Sequence, residues 1–311
     1  EDRTADDGGV QERAEALQLL PRCSTPPSIP TSATERSGLW HSALSLADIT
    51  VSTPYRADAT PDSLVDFYHM LRSRGAVAIT GVDATSAATE AAIRHLGGGI
   101  QSTLWGSYWE FEADESADDF AYTTHGLPVH TDGTYLHATP GLQVFHCLDF
   151  TGDPTQDGNT LLVDGFAAAE RVRQTVSPAA WTALTTHLVS GQFADRAGAD
   201  YRAANPVLQL DPETGKGVQA IRFNHEDRMP VTGTPRSITH FYEGLAALYR
   251  ELNDPAVQLR APLLPGTLLF INNWRVLHGR TSFPGGIRRR LGGAYVSMDD
   301  ILSKFRQAGV W

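Results

Sequence analysis

His130 and Asp132, separated by one threonine and followed far downstream by His278, are the residues of this chain whose types and spacing point most directly to chemistry. Two imidazoles and one carboxylate form a facial ligand set that suits non-haem Fe(II). Three ligands leave coordination positions open for a co-substrate and O2. The spacing has a physical basis. In an extended segment, residues i and i+2 point to the same side, so His130 and Asp132 can grip one ion while Thr131 points away. The third ligand must then come from a strand that the fold lays alongside. A bare His-x-Asp pair is common, and it is the surroundings of His278 that add specificity. Leu268 to Ile271 is an apolar run of the length of a buried strand, with His278 following at its far end. Beyond it, Arg289 heads another apolar stretch. A forked, always-charged guanidinium near a metal is the partner that the distal carboxylate of a dicarboxylic co-substrate such as 2-oxoglutarate needs. Arg288 and Arg290 compete for that role.

The elements that must position these residues are readable from periodicity. Pro61 to Ser73 carries Leu64, Phe67, Tyr68 and Leu71 at helical spacing, Gly75 stops it, and Ala76 to Thr80 is a first strand. Ala87 to Leu96 reads as a second helix. Strands are expected at 141–148, 159–163, 217–223, 267–272 and 291–297, and helices at 165–175, 177–188 and 235–253. Asp299 is expected to cap a last helix running through Arg306. Many short strands with inserted helices suit a mainly β fold with a jelly-roll core, a double sheet open at one end. Residues 1–38 are acidic at first, then rich in Pro, Ser and Thr; they read as a flexible tail, because such a composition buries too little apolar surface to offset its ordering entropy. Residues 39–311 are left as one domain.

The formal net charge of −11 argues against nucleic acid or an anionic membrane as partner. No apolar run approaches the roughly 20 residues of a membrane span. The two cysteines, Cys23 and Cys147, show neither a disulfide framework nor zinc-finger spacing and read as free thiols. These features fit a soluble intracellular enzyme acting on a small molecule. It would be cytoplasmic, or of the mitochondrial matrix if a presequence has been removed from a chain that starts at Glu1.

From about Leu104 onward the chain resembles the γ-butyrobetaine and trimethyllysine dioxygenase family of Fe(II)/2-oxoglutarate oxygenases. The resemblance is carried by Tyr122-Thr123-Thr124, His130-Thr131-Asp132, Gly141 to Cys147, Asn159 to Phe166, Ile221 to Asn224, Asn273 to Arg280 and Gly293 to Tyr295. Gln143 to Cys147, Leu161 to Phe166 and Arg222-Phe223-Asn224 with Asp227-Arg228 lie closer to the trimethyllysine branch. The resemblance implies a double-stranded β-helix, and Fe(II), 2-oxoglutarate and O2 as cofactor and co-substrates. It implies iron ligation by His130, Asp132 and His278, and Arg289 with Thr160 on 2-oxoglutarate. It also implies an aromatic cage for a trimethylammonium group from Trp105, Trp109, Tyr122 and Tyr295, with Asn224 at the substrate's other end. Trp105 stands where the family pattern has Tyr, which keeps an electron-rich face for a cation. Core packing is the alternative account of the Trp105–Trp109 cluster. Larger family members carry an N-terminal zinc-binding domain associated with dimer formation; its Cys/His spacing is not found here, so a homodimer stays open. Two other functions also stay open: an oxygenase on the same scaffold that hydroxylates, desaturates or cyclises another amino acid, and a non-catalytic jelly-roll binding protein.

Overall fold

The computed structural model describes residues 38–112, 123–196 and 198–310; the proposed tail up to residue 37, Cys23 and Tyr122 lie outside the described residues. Its helices are α1 (Val65–Arg74), α2 (Ser86–Gly97), α3 (Gly165–Thr175), α4 (Pro178–Thr186), α5 (Pro235–Leu252) and α6 (Met298–Gln307). Its strands are β1 (Ala76–Thr80), β2 (Tyr108–Glu112), β3 (Leu127–His130), β4 (Leu142–Phe150), β5 (Thr160–Asp164), β6 (Val189–Ala194), β7 (Asp200–Asn205), β8 (Leu208–Leu210), β9 (Val218–Ile221), β10 (Leu259–Ala261), β11 (Thr267–Asn272), β12 (Val276–Arg280) and β13 (Arg289–Val296). Among the described residues no helix is long and apolar enough to cross a membrane.

Two antiparallel sheets carry the architecture. One has the order β1-β11-β4-β13-β2, the other β10-β5-β12-β3. Period-2 alternation distributes their side chains between layers. In β11, Leu268 and Phe270 pack with Phe67 and Leu71 of α1, Ile93 of α2 and Phe305 of α6. Leu269 and Ile271 of the same strand face the other way and share a core with Leu162 of β5, Leu259 of β10 and Val276 of β12. That second core joins the two sheets. On the far side, Val163 of β5 and Leu277 of β12 pack against α3, α4 and α5 through Ala168, Leu184 and Leu248. The result is mainly β, two stacked sheets with helices on both outer faces.

Helix boundaries follow local chemistry. Gly75 ends α1 in the left-handed region at φ 76°, and the C-cap N–H bonds back to Leu71 O. A side chain there would also sit 2.8 Å from Val276 Cγ2. Asp164 caps α3 by accepting from Phe166 N and Ala167 N. The expected Asp299 cap is not what the structure shows. Ser297 caps α6, its Oγ accepting from Asp300 N at 3.1 Å, because β13 runs to Val296 and the chain passes directly from strand to helix. His278 follows the Leu268–Ile271 strand, as expected, but in a strand of its own. A tight turn through Asn272 to Arg275 separates β11, in one sheet, from β12, in the other, and His278 lies in β12.

Candidate metal centre

β3 and β12 pair antiparallel with His130 directly opposite His278, and their ring centroids lie 4.6 Å apart. Cross-strand neighbours at this spacing can share a ligand. Asp132 lies just past the end of β3. Its orientation is set by Thr131, which is buried and turned the other way: Thr131 N donates to Phe223 O at 2.8 Å, and its Oγ1 accepts from Phe223 N at 2.9 Å. Asn273, fully buried, completes the clamp. Its Oδ1 accepts from Asp132 N (2.8 Å), and its Nδ2 donates to Asp132 O (3.0 Å) and Pro140 O (3.1 Å). His130 Nε2 lies 3.3 Å from Asp132 Oδ1, and His278 Nε2 lies 3.6 Å from Asp132 Oδ2. Donor atoms of the three residues fall within 4.8 Å of one another, the one such cluster among the described residues.

The protonation states suit a divalent cation. His130 Nδ1 lies 2.8 Å from Pro128 O; a carbonyl only accepts, so Nδ1 carries the proton and the Nε2 lone pair is available. Burial pushes His278 down to about 4, which keeps it neutral. For Asp132, burial works to raise the pKa. The neighbouring His278 and His130 and the Tyr295 hydroxyl, which donates to Oδ2 at 3.0 Å, outweigh it and hold the carboxyl at about 2. For His130, burial works to lower the pKa, but the hydrogen bond and charge of Asp132 outweigh it and raise it, so a metal would take the place of a proton there. Two imidazoles and an ionised carboxylate on one side of the chain can bind a metal and leave the opposite side open.

Arg289 opens β13 with its side chain buried, whereas Arg288 and Arg290 are exposed, as the alternation of a strand requires. Arg288 is ion-paired to Asp149 Oδ2 at 2.6 Å. The Arg289 guanidinium has no hydrogen bond or ion pair with any described residue. Burial, and then the charge of Arg280, lower its pKa to about 10, so it remains charged at neutral pH. Gly158 packs on it: a Cβ there would stand 3.1 Å from Arg289 Cδ. Arg280 is also buried, its Nη2 donating to Thr123 O (2.6 Å) and His125 O (2.7 Å). Thr160 is buried at the head of β5, directly opposite Arg280. Buried cationic groups and a hydroxyl thus gather beside the triad.

Of the four expected cage residues, the structure brings together Trp109 and Tyr295, with ring centroids 6.4 Å apart. Gly293, paired with Trp109 across β2 and β13, leaves the space that the indole fills; a Cβ there would meet Trp109 Cη2 at 2.4 Å. Phe145 joins this group, 5.7 Å from Trp109 and 5.3 Å from His278. Trp105 packs edge-on against Phe193 at 5.1 Å, and no ring contact with Trp109 or Tyr295 accompanies it among the described residues. Tyr122 lies outside the described residues. Asn224 follows Phe223 beside Thr131, with its Oδ1 accepting from Glu226 N at 3.0 Å. Sequence reasoning missed Asn273, Phe145 and Arg280 as site residues. All three lie in the motif blocks that flank the ligands, but nothing in their spacing marks them.

The model of the taurine catabolism dioxygenase TauD, TfdA family matches residues 39–295. The mitochondrial trimethyllysine dioxygenase of Bos taurus is 40% identical over 215 residues, covering 68% of this chain and 49% of the relative. The γ-butyrobetaine dioxygenase of Homo sapiens is 29% identical over 275 residues, covering 86% of this chain and 68% of the relative. The chain therefore spans about half the length of the trimethyllysine dioxygenases it matches. Among solved structures, a putative alpha-ketoglutarate-dependent taurine dioxygenase from Burkholderia xenovorans is similar with TM-score 0.61 and 16% identity, covering 82% of this chain and 91% of the other. An asparagine oxygenase in complex with Fe(II), 2S,3S-3-hydroxyasparagine and succinate is similar with TM-score 0.55 and 18% identity, covering 78% and 86%. At these identities the two structures speak to the fold.

Proposed function

Because the chain belongs to the TauD, TfdA dioxygenase family, we propose that it is an Fe(II)- and 2-oxoglutarate-dependent oxygenase that hydroxylates a C–H bond of a small quaternary-ammonium substrate such as trimethyllysine or γ-butyrobetaine. The observation that carries this reading is the pairing of a two-His-one-carboxylate cluster with a buried guanidinium at Arg289 that has no partner among the described residues. A metal alone would explain the first feature, and an anion site alone the second. A co-substrate that chelates iron at one end and ends in a carboxylate needs both.

On this reading the stacked sheets are a double-stranded β-helix, and residues 39–311 form one catalytic domain. His130, Asp132 and His278 hold the iron, which when bound supplies O2 activation coupled to oxidative decarboxylation of 2-oxoglutarate to succinate and CO2. The chain supplies position and dryness. The Pro128 carbonyl fixes the His130 tautomer. Asn273 and Tyr295 hold Asp132 from its backbone and its carboxylate. Arg289 takes the distal carboxylate, with Thr160 beside it. Trp109 and Tyr295 offer ring faces to a trimethylammonium group, with Trp105 and Tyr122 completing the cage and Asn224 meeting the substrate's other end. Anchoring the cation at a fixed distance from the metal makes the site of hydroxylation a matter of geometry.

The test is succinate release from 2-oxoglutarate with Fe(II) across a panel of betaines, methylated lysines and free amino acids. Release coupled to a trimethylated compound, and abolished in His278→Ala with the fold retained, is the expected result. Full turnover in His278→Ala would sink the triad. A primary amino acid turned over better than every trimethylated compound would sink the cage.

A further inference from the structure

Arg280 ends β12, two residues beyond His278, and is buried. Its Nη2 donates to two carbonyls of one turn, Thr123 O at 2.6 Å and His125 O at 2.7 Å. Its guanidinium lies 5.2 Å from the centroid of the Phe283 ring. Phe283 N in turn donates to Thr124 O at 3.1 Å. Three successive carbonyls are therefore held by the short stretch from Arg280 to Phe283. Gly126, the next residue of the turn, is packed so closely on that stretch that a Cβ would stand 3.3 Å from Ser282 N. Holding consecutive carbonyls of a turn in one geometry suits a planar guanidinium, which carries several N–H groups in fixed directions.

This turn leads directly into β3, where the pairing is irregular. His278 stands opposite His130, but Arg280 stands opposite Leu127, so Pro128 and Val129 together face Gly279 alone. The extra residue makes a bulge, a device that re-aims nearby groups. Gly279 permits it, since a Cβ there would lie 2.6 Å from Leu127 O. The bulge presents Pro128 O to His130 Nδ1 at 2.8 Å. On its other flank, Arg280 pairs with Thr160 of β5 and adjoins Arg289. Gly158 joins the two: a Cβ there would stand 3.2 Å from Phe283 Cδ1 and 3.1 Å from Arg289 Cδ. Burial, and then the charge of Arg280, lower the Arg289 pKa. Two like charges thus share a dry pocket, where salt screens their repulsion little. A carboxylate that enters beside them offsets it.

We propose that Arg280 is a positioning residue that couples the co-substrate pocket to the metal centre. A carboxylate arriving at Arg289 offsets the repulsion between the two guanidinium groups. Arg280 then holds Thr123 and His125 more firmly, and that fixes the start of β3, the bulge and, through Pro128 O, the ring of His130. The coupling is reciprocal: a turn already held in place makes the pocket bind the carboxylate more tightly. The proposal rests on the oxygenase reading above and deepens it. Arg280 acts through Arg289 on one side and through the 123–126 turn on the other.

The experiment is hydrogen–deuterium exchange over residues 123–130 of the full chain with Fe(II) and without O2, read with and without saturating 2-oxoglutarate, beside calorimetric affinity for 2-oxoglutarate. In the wild type, 2-oxoglutarate should slow exchange of this segment at least tenfold. Arg280→Met should weaken 2-oxoglutarate binding fivefold or more and remove the slowing even at saturation. Arg280→Lys keeps the charge without the planar set of donors. It should recover most of the affinity and little of the slowing. A residue that merely braced the turn would behave differently: Arg280→Met would speed exchange equally with and without 2-oxoglutarate and leave its affinity unchanged. That result overturns the proposal, as does slowing retained in Arg280→Met at saturation. A wild type that binds 2-oxoglutarate while exchange over 123–130 stays unaltered overturns it too, even if the variants fail to fold. A wild type that binds no 2-oxoglutarate sinks the oxygenase reading itself, and the proposal with it.

Discussion

Two arginines of this chain are buried to nearly the same depth, Arg275 at 5% and Arg289 at 6% exposure, yet they live in opposite environments. Arg275 has its donors engaged. Nε and Nη2 fork onto the two oxygens of Asp164 at 3.2 and 2.8 Å, Nη1 donates to Ser73 O, and Nη2 also reaches Gly38 O. Asp164 in turn caps α3 and accepts from Trp40 N. This cluster staples the first described residues, the end of α1, the start of α3 and the β11–β12 turn to one another. Arg289 makes no polar contact with any described residue. Burying a charge without a partner is among the most unfavourable arrangements in a fold. The difference teaches where to look for function: a satisfied buried charge explains itself by architecture, and one that no described residue satisfies points to an acceptor beyond them.

The contrast can be broken at several points. Arg275→Met leaves Asp164 buried and unpaired, and should lower the unfolding free energy by about 3–5 kcal/mol, read in denaturant titrations. If it leaves stability unchanged, the staple is not structural. Arg289→Met should do the reverse. Stability should hold or rise, because an unmatched charge leaves a buried site. The dissociation constant for 2-oxoglutarate should rise by roughly 10- to 150-fold, the equivalent of about 1.5–3 kcal/mol for hydrogen bonds to a charged group. Unchanged 2-oxoglutarate affinity would remove Arg289 from its proposed role. Asn273→Ala sits between the two kinds, since its amide is fully satisfied yet acts on Asp132. A loss of about 1–3 kcal/mol in stability is expected, together with weaker Fe(II) binding. The second effect separates a positioning residue from plain scaffolding. Arg288→Ala and Arg290→Ala, on the exposed face, should change stability by no more than about 0.5 kcal/mol and leave 2-oxoglutarate binding untouched. If one of them matters in place of Arg289, the register of β13 on this reading is off by one.

Much of the fold was legible because it depends on neighbours in the chain. Helices 165–175 and 235–253 were readable from caps and apolar spacing, and the structure places them at Gly165–Thr175 and Pro235–Leu252. Strand 267–272 was readable from an unbroken apolar run. The short strands β3 and β12, which carry two of the three metal-cluster residues, were not. β3 is four residues long and contains Pro128, and β12 is a five-residue strand that lies beyond the turn ending β11, where no strand was expected. Trp105 and Trp109 illustrate the same limit within one short segment: side by side in sequence, they pack against different partners, Phe193 in one case and Tyr295 and Phe145 in the other.

By itself the sequence determined the ligand types, the same-sided spacing of His130 and Asp132, and the presence of three adjacent arginines of which a strand can bury only alternate ones. Those properties follow from residue chemistry and from the two-residue period of an extended chain. Only the tertiary structure decided that His278 stands opposite His130, that Arg289 is the arginine turned inward, that Asn273 clamps Asp132, and that the Tyr295 hydroxyl reaches the same carboxylate. Each of these depends on the register between strands distant in sequence. That register is set by how two sheets share a core, and no local pattern of residues contains it.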